Sequence, residues 1–162
     1  MQFQKEDHMY KKILVPLDGS KLAECVLPHV QTLVQGCQVR DVVFMRVVEP
    51  IKPVVSADGM LSPQEAERIT ASMASDAEVY LRTLVQGLKY DGAGVKWQMK
   101  MGHVAQTIVD SATEHGVDLI VIATHGRSGV SRWVWGSVAD RVLRASCVPV
   151  LMVRAPGCVP GV

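Results

Sequence analysis

The chain has 162 residues, 48% of them hydrophobic, and its 17 basic and 16 acidic residues leave a formal charge of +1. That length suits one domain able to bury roughly 70% of the surface its unfolded form exposes. The mixed charge, with no Lys/Arg run to track a phosphate backbone, argues against nucleic acid as a partner, and apolar stretches such as Leu119 to Ala123 fall far short of the ~20 residues of a membrane span.

Residues 1–10 are polar and mixed in charge. They predict a flexible N-terminus and, lacking the apolar core of a signal peptide, a cytoplasmic chain. Lys12 to Asp18 reads as a short apolar strand ending in Asp18-Gly19-Ser20, where Gly permits a sharp turn and Ser can cap a helix. From Lys21 to Gln35, Leu22, Val26, Val30, Leu33 and Val34 recur at helical spacing, Gly36 marks the end, and Pro28 in the middle predicts a kink. Val42 to Val48 is β-branched and aromatic enough to be a strand buried on both faces.

Ile51 to Leu61, with Pro53 and Asp58-Gly59, reads as a loop. Ser62-Pro63-Gln64-Glu65 is a capping-box signature and opens a long helix to about Leu88. Val95 to Met101 alternates apolar and polar residues, as a strand with an exposed face or near a sheet edge does. Val104 to His115 forms a third helix with Ile108, Val109 and Ala112 inward, stopped by Gly116. Asp118 to Ala123 is apolar after its first residue, hence a central strand, and Val138 to Ala145 and Val148 to Val153 supply the last helix and strand. This βα alternation specifies an α/β domain over residues 11–154, a doubly wound parallel sheet with helices on both faces and a disordered tail at 155–162.

The four cysteines include no C-x-x-C pair and the five histidines no metal-ligand spacing, so reduced thiols and no structural zinc are expected. Chemistry concentrates where strands end. In open parallel sheets, ligands bind beyond the carboxyl ends of strands where the strand order reverses. After Ala123 the chain reads Thr124-His125-Gly126-Arg127-Ser128-Gly129 and, beyond Trp133 and Trp135, Gly136-Ser137 before the last helix. Glycines let backbone N–H groups approach an anion without Cβ interference, and a helix N-terminus aims donors and a positive dipole end at the same crevice. A phosphate group fits both features.

With that loop the sequence resembles the universal stress protein family, whose ATP-binding members carry G-x2-G-x9-G-[ST] after the fourth strand. Here the pattern falls on Ala123, Gly126, Gly136 and Ser137, with nine residues from Arg127 to Trp135 between its second and third marks. The opening Ile13 to Ser20 and the closing Cys147 to Arg154 are also similar, so the likeness spans Lys12 to Arg154. Ala123, in place of the first glycine, is the departure; one methyl group there weakens nucleotide binding at most.

The resemblance implies a five-stranded sheet of order 3-2-1-4-5, of the adenine nucleotide alpha hydrolase-like type. It implies an ATP or related adenine-nucleotide site with Mg2+ (or Mn2+), and a homodimer paired through Val148 to Val153. Pro16 and Asp18 are then expected to border the adenine pocket and Val47 to touch the base. Ala123, Thr124, His125, Gly126, Arg127, Ser128 and Gly129 would wrap ribose and phosphates, with Ser137, Val138 and Ala139 completing the anion site. A carboxylate at Asp18 can accept from the adenine amino group or help hold the cation, and Arg127 can add a charge at the terminal phosphate.

Plainer readings stand beside these. Asp18 can equally cap the first helix, the paired glycines can serve a tight turn, and Trp133 and Trp135 can pack against the sheet end or a partner chain. Arg132, Arg141 and Arg144 share a solvated helical face. No G-x-x-x-x-G-K-[ST] or G-x-G-x-x-G occurs, which removes P-loop and dinucleotide-binding readings. A receiver domain wants Asp at the end of the third strand, where Met101-Gly102 stands. No Ser or Cys nucleophile shows its His and Asp partners, so nucleotide binding is expected rather than catalysis, with a protein-interaction module and a hydrolase as the rival classes.

Overall fold

The computed structural model describes residues 10–56, 59–124 and 138–155. Expectations for residues 1–9, for the glycine-containing stretch 125–137 and for the tail at 156–162 therefore lie outside the described residues.

The elements follow as β1 (Lys12–Pro16), a 3-10 turn (Ala23–Val26), α1 (Leu27–Cys37), β2 (Asp41–Val48), β3 (Val54–Ser56), β4 (Gly59–Leu61), α2 (Pro63–Gly87), β5 (Gly94–Met101), α3 (Val104–Glu114), β6 (Leu119–Thr124), α4 (Val138–Ala145) and β7 (Val150–Arg154). Five strands pair in parallel in the order β5-β2-β1-β6-β7. Setting the small β3–β4 hairpin aside, this is the expected order 3-2-1-4-5. The order reverses between β1 and β6, which puts the switch point beside the end of β1.

The central strands are apolar at successive positions because they are covered on both sides. Ile13 and Val15 of β1 and Leu119 and Val121 of β6 join one buried layer with Val26, Val30 and Val34 of the 3-10 turn and α1 and Leu81 of α2. Leu14, Ile120 and Ile122 face the other way, onto Ile108 and Ala112 of α3 and Ala139 and Val142 of α4. A period of two along each strand thus serves two separate cores. β5 is an edge strand, as its alternation implies, and β7 is the opposite edge.

Three local expectations are corrected. The single kinked helix from Lys21 is a 3-10 turn followed by α1, with Pro28 at the second helical position, where a missing N–H breaks no helix bond. Leu22 therefore lies ahead of the helix and is exposed, and the helix ends beyond Gly36, at Gln38 with φ 53°. The loop from Ile51 to Leu61 contains the antiparallel β3–β4 pair, Val54 opposite Leu61. The last strand starts at Val150 because Ser146 Oγ accepts from the Val148 amide and ties that segment to the end of α4.

The capping box is formed in full: Ser62 Oγ accepts from Glu65 N at 3.2 Å, and Ser62 N donates to Glu65 Oε2 at 3.0 Å. It fixes the start of the 25-residue helix α2, which runs over β2 and β5.

Candidate functional site

The carboxyl ends of β1, β2 and β6 open into one crevice of about 600 Å³. Each of its walls has a local cause. After Pro16 the chain continues alongside β2, Leu17 N donating to Met45 O at 2.8 Å, and then turns at Gly19, whose φ of +88° a side chain rarely adopts. Asp18 Oδ1 accepts from Ser20 N at 2.8 Å, and Ser20 Oγ accepts from Ala23 N at 3.1 Å. Ser20 therefore anchors the 3-10 turn, while the Asp18 carboxylate holds the turn beside the crevice. Of the two readings left open for Asp18, a helix cap gives way to a turn carboxylate that also lines the cavity.

The end of β2 is fixed from β5, Gly102 N donating to Val48 O at 3.0 Å, and Glu49 Oε1 meets His103 Nδ1 at 2.8 Å across the rim. The end of β6 is held by Ala155 N, which donates to Thr124 O at 3.1 Å. α4 then presents its first residues, Val138 and Ala139, to the same space.

Seven of the expected site residues thus meet at one place: Pro16, Asp18, Val47, Ala123, Thr124, Val138 and Ala139 all line the crevice. They come from four segments of the chain: the ends of β1, β2 and β6 and the start of α4. His125, Gly126, Arg127, Ser128, Gly129, Gly136 and Ser137 lie outside the described residues. Sequence reasoning missed Arg46, Glu49 and Met73, together with the apolar floor of Met45, Ile108 and Ile122. Arg46 had a signal, as the one charge inside the apolar run of β2; Met73 had none, because only packing tells which turn of α2 overhangs the crevice.

Behind the crevice, the Tyr80 hydroxyl donates to Glu24 Oε1 at 3.2 Å, and Lys21 pairs with the same carboxylate at 2.8 Å. Burial first, and then the Glu24 charge, push the Tyr80 phenol well above its ordinary range; burial alone pushes Tyr90 up to about 12. Both phenols hold their protons more tightly folded than unfolded. Their contribution to stability is complete below the ordinary value of 10 and is lost as the pH rises toward 12. The urea midpoint is expected to fall over that range, and less so in Tyr90→Phe; a pH-independent midpoint to pH 11.5 (on the order of one unit above the free phenol) would contradict it.

A five-stranded parallel sheet covered by helices on both faces, with a crevice of about 600 Å³ at its switch point, defines a doubly wound α/β domain. Within that class the chain belongs to the universal stress protein family, whose model matches residues 9–154. Universal stress protein MJ0577 of Methanocaldococcus jannaschii is 30% identical over 156 residues, covering 90% of this chain and 96% of that protein. The solved structure of MJ0577 superimposes with a TM-score of 0.71 at 26% identity, covering 92% of this chain and 99% of that one. A universal stress protein in complex with cAMP matches with a TM-score of 0.57 at 18% identity, over 90% of this chain and 98% of its own. The Archaeoglobus fulgidus universal stress protein in complex with dAMP gives 0.52 at 23%, over 89% and 98%. At those identities the last two bear on the fold alone.

Proposed function

We propose that this chain binds an adenine nucleotide, ATP with Mg2+ (or Mn2+) in first place, and acts as a stress-response sensor or regulator rather than as an enzyme. The observation that carries the reading is the meeting of Pro16, Asp18 and Val47 with Ala123, Thr124 and the start of α4 around one crevice. Its volume lies within the roughly 300–1,000 Å³ typical of small-molecule sites. Apolar walls from Pro16, Val47 and Met73 suit a flat base, and the first turn of α4 suits phosphates. The glycine spacing through Gly126, Gly129 and Gly136 lies in the segment between these two ends. The cAMP and dAMP complexes belong to other members of the fold; in this chain the support is the grouping of its own residues.

Among the described residues no three His, Cys, Asp or Glu side chains gather as a metal site. A divalent cation is therefore proposed to be held chiefly by the phosphates, with Asp18 as the carboxylate at hand. Binding rather than turnover is proposed because the sequence shows no Ser or Cys nucleophile with His and Asp partners at the required spacing. The proposed location is cytoplasmic, in keeping with Cys25, Cys37 and Cys147 as free thiols. No helix among the described residues is long and apolar enough to cross a membrane.

Ala123, in place of the motif's first glycine, favours a second reading, a family member that works through protein contacts without nucleotide. Thermal or urea unfolding with ATP and Mg2+ separates the two. A hundredfold excess over Kd is expected to stabilise the fold by about 2.7 kcal/mol; unchanged unfolding at millimolar ATP would favour the second reading.

The proposed assembly is a homodimer. Among the described residues β7 is the last strand of the sheet and Leu151 on it is 37% exposed, and a sheet edge of that kind invites association. Light scattering is expected to give twice the chain mass, and a monomer at working concentration would remove this part of the reading.

A further inference from the structure

A second cavity, of about 380 Å³, lies on the α3 side of the sheet and shares no lining residue with the crevice. Its floor follows from the strand register. Leu14 of β1 stands opposite Val43 of β2, and Val43 opposite Lys96 of β5, so the three side chains share one face. Leu14 and Val43 belong to the apolar layer under α3, together with Val117 just beyond the end of that helix. α2 packs on the other face of β5, where the Arg82 guanidinium lies 5.8 Å from the centre of the Trp97 ring. α3 packs on β2 instead, which leaves a space between α3 and the edge strand.

The polar groups around that space differ from one end to the other. Ser111 lines the cavity, is 1% exposed, and its Oγ makes no hydrogen bond within the fold. A buried hydroxyl of that kind destabilises the fold until a bound group supplies its partner. One helical turn on, His115 also lines the cavity; its Nδ1 donates to Ser111 O at 2.8 Å, and its own carbonyl accepts from Lys12 Nζ at 2.8 Å. Lys96 Nζ reaches Asp41 Oδ1 at 2.9 Å, and Asp41 is the register partner of Lys12, so both ammonium groups gather at the His115 end. An ammonium has three N–H donors, and each of these contacts uses one. The lining residues carry the two lysines and no carboxylate. The acids that touch those lysines are engaged, Asp41 with Lys96 and Asp118 with the backbone amides of Lys11 and Lys12.

The complement of this cavity is an anion with an apolar body and a hydrogen-bonding atom at its far end. Four residues of helix separate Ser111 from His115, about 6 Å along the axis. A para-substituted benzene ring holds two polar groups a comparable distance apart, and its rigidity leaves little to be ordered on binding. We propose that the cavity binds a small aromatic carboxylate with a hydroxyl across the ring. The carboxylate accepts from Lys12 and Lys96, the ring lies on Leu14, Val43 and Val117, and the hydroxyl pairs with Ser111 Oγ. The test is equilibrium titration of the full chain with para-hydroxybenzoate, and with benzoate and phenol, each of which lacks one of the two polar groups.

The parent is expected to bind para-hydroxybenzoate saturably at one site per chain, and phenol at least about tenfold more weakly. Lys12→Met is expected to weaken para-hydroxybenzoate by about tenfold while changing phenol little; Lys96→Met serves if that variant does not fold. Ser111→Ala is expected to remove the advantage of para-hydroxybenzoate over benzoate without lowering the urea midpoint, because the hydroxyl has no partner in the fold to lose. Saturating ATP with Mg2+ is expected to leave the titration unchanged, since the crevice and this cavity share no lining residue. The proposal is overturned by any one of four results: no saturation at about 10 mM, parent-like affinity in Lys12→Met, a lowered midpoint in Ser111→Ala, or displacement by ATP. None of these results bears on whether the crevice binds a nucleotide.

Discussion

Nucleotide affinity is expected to fall at least a hundredfold, about 2.7 kcal/mol, when Gly126 and Gly136 are both replaced by Val. The two positions hold the second and third marks of the glycine spacing, between the end of β6 and the start of α4. A glycine there lets backbone amides reach a phosphate, and a β-branched side chain both blocks that approach and restricts the backbone to conformations a turn cannot use. The far-UV circular dichroism of the variant, compared with the parent's, first establishes that it is folded. Titration of the folded double variant with Mg-ATP makes the check. Parent-like affinity would show that the glycines serve only a turn and that the nucleotide, if bound, is held elsewhere.

The second large effect concerns the frame that positions the crevice. Phe44→Ala is expected to lower the unfolding free energy by about 3–5 kcal/mol, a large share of the roughly 5–15 kcal/mol that holds a domain together. Phe44 is fully buried in the middle of β2, with its ring centroid 6.4 Å from that of Tyr90. It supports the strand whose next residues, Met45, Arg46 and Val47, line the crevice. The loss should appear as a lower urea midpoint at an unchanged slope, with nucleotide affinity of the still-folded fraction reduced as well. A midpoint within experimental error of the parent would contradict the placement of β2 between two covered faces.

The strands of the central sheet were legible because burial on both faces leaves an unmistakable mark: β1 and β6 carry apolar residues at successive positions. α2 was legible from its first four residues, since Ser62 and Glu65 satisfy each other's backbone amides whatever packs above them. The kink expected at Pro28 does not form because α1 starts at Leu27, one residue before it, and nothing in the sequence marks where the 3-10 turn hands over to the α-helix. The β3–β4 hairpin was hidden by the neighbouring prolines, although Val54-Val55 followed by Asp58-Gly59 is itself a hairpin signature.

In the site, residues attached to a motif or a strand end could be named beforehand, and Pro16, Asp18, Val47, Ala123 and Thr124 do line the crevice. Those that reach it through packing could not. Arg46 follows the strand's alternation to the α2 side of the sheet, and its place at the crevice appears only once β1 and β2 are laid side by side, Pro16 opposite Met45. Met73 depends on the lean of a helix whose nearest capping signal is more than two turns away.

The most direct test of the central claim is calorimetric titration of Mg-ATP into the parent protein, after confirming that no nucleotide is carried through purification. Saturable binding at one site per chain, tightened in Ala123→Gly and absent in Gly126→Val with Gly136→Val, is the expected result. Heats of dilution alone in both the parent and Ala123→Gly would contradict it and leave a family member whose crevice serves some ligand other than ATP, or none.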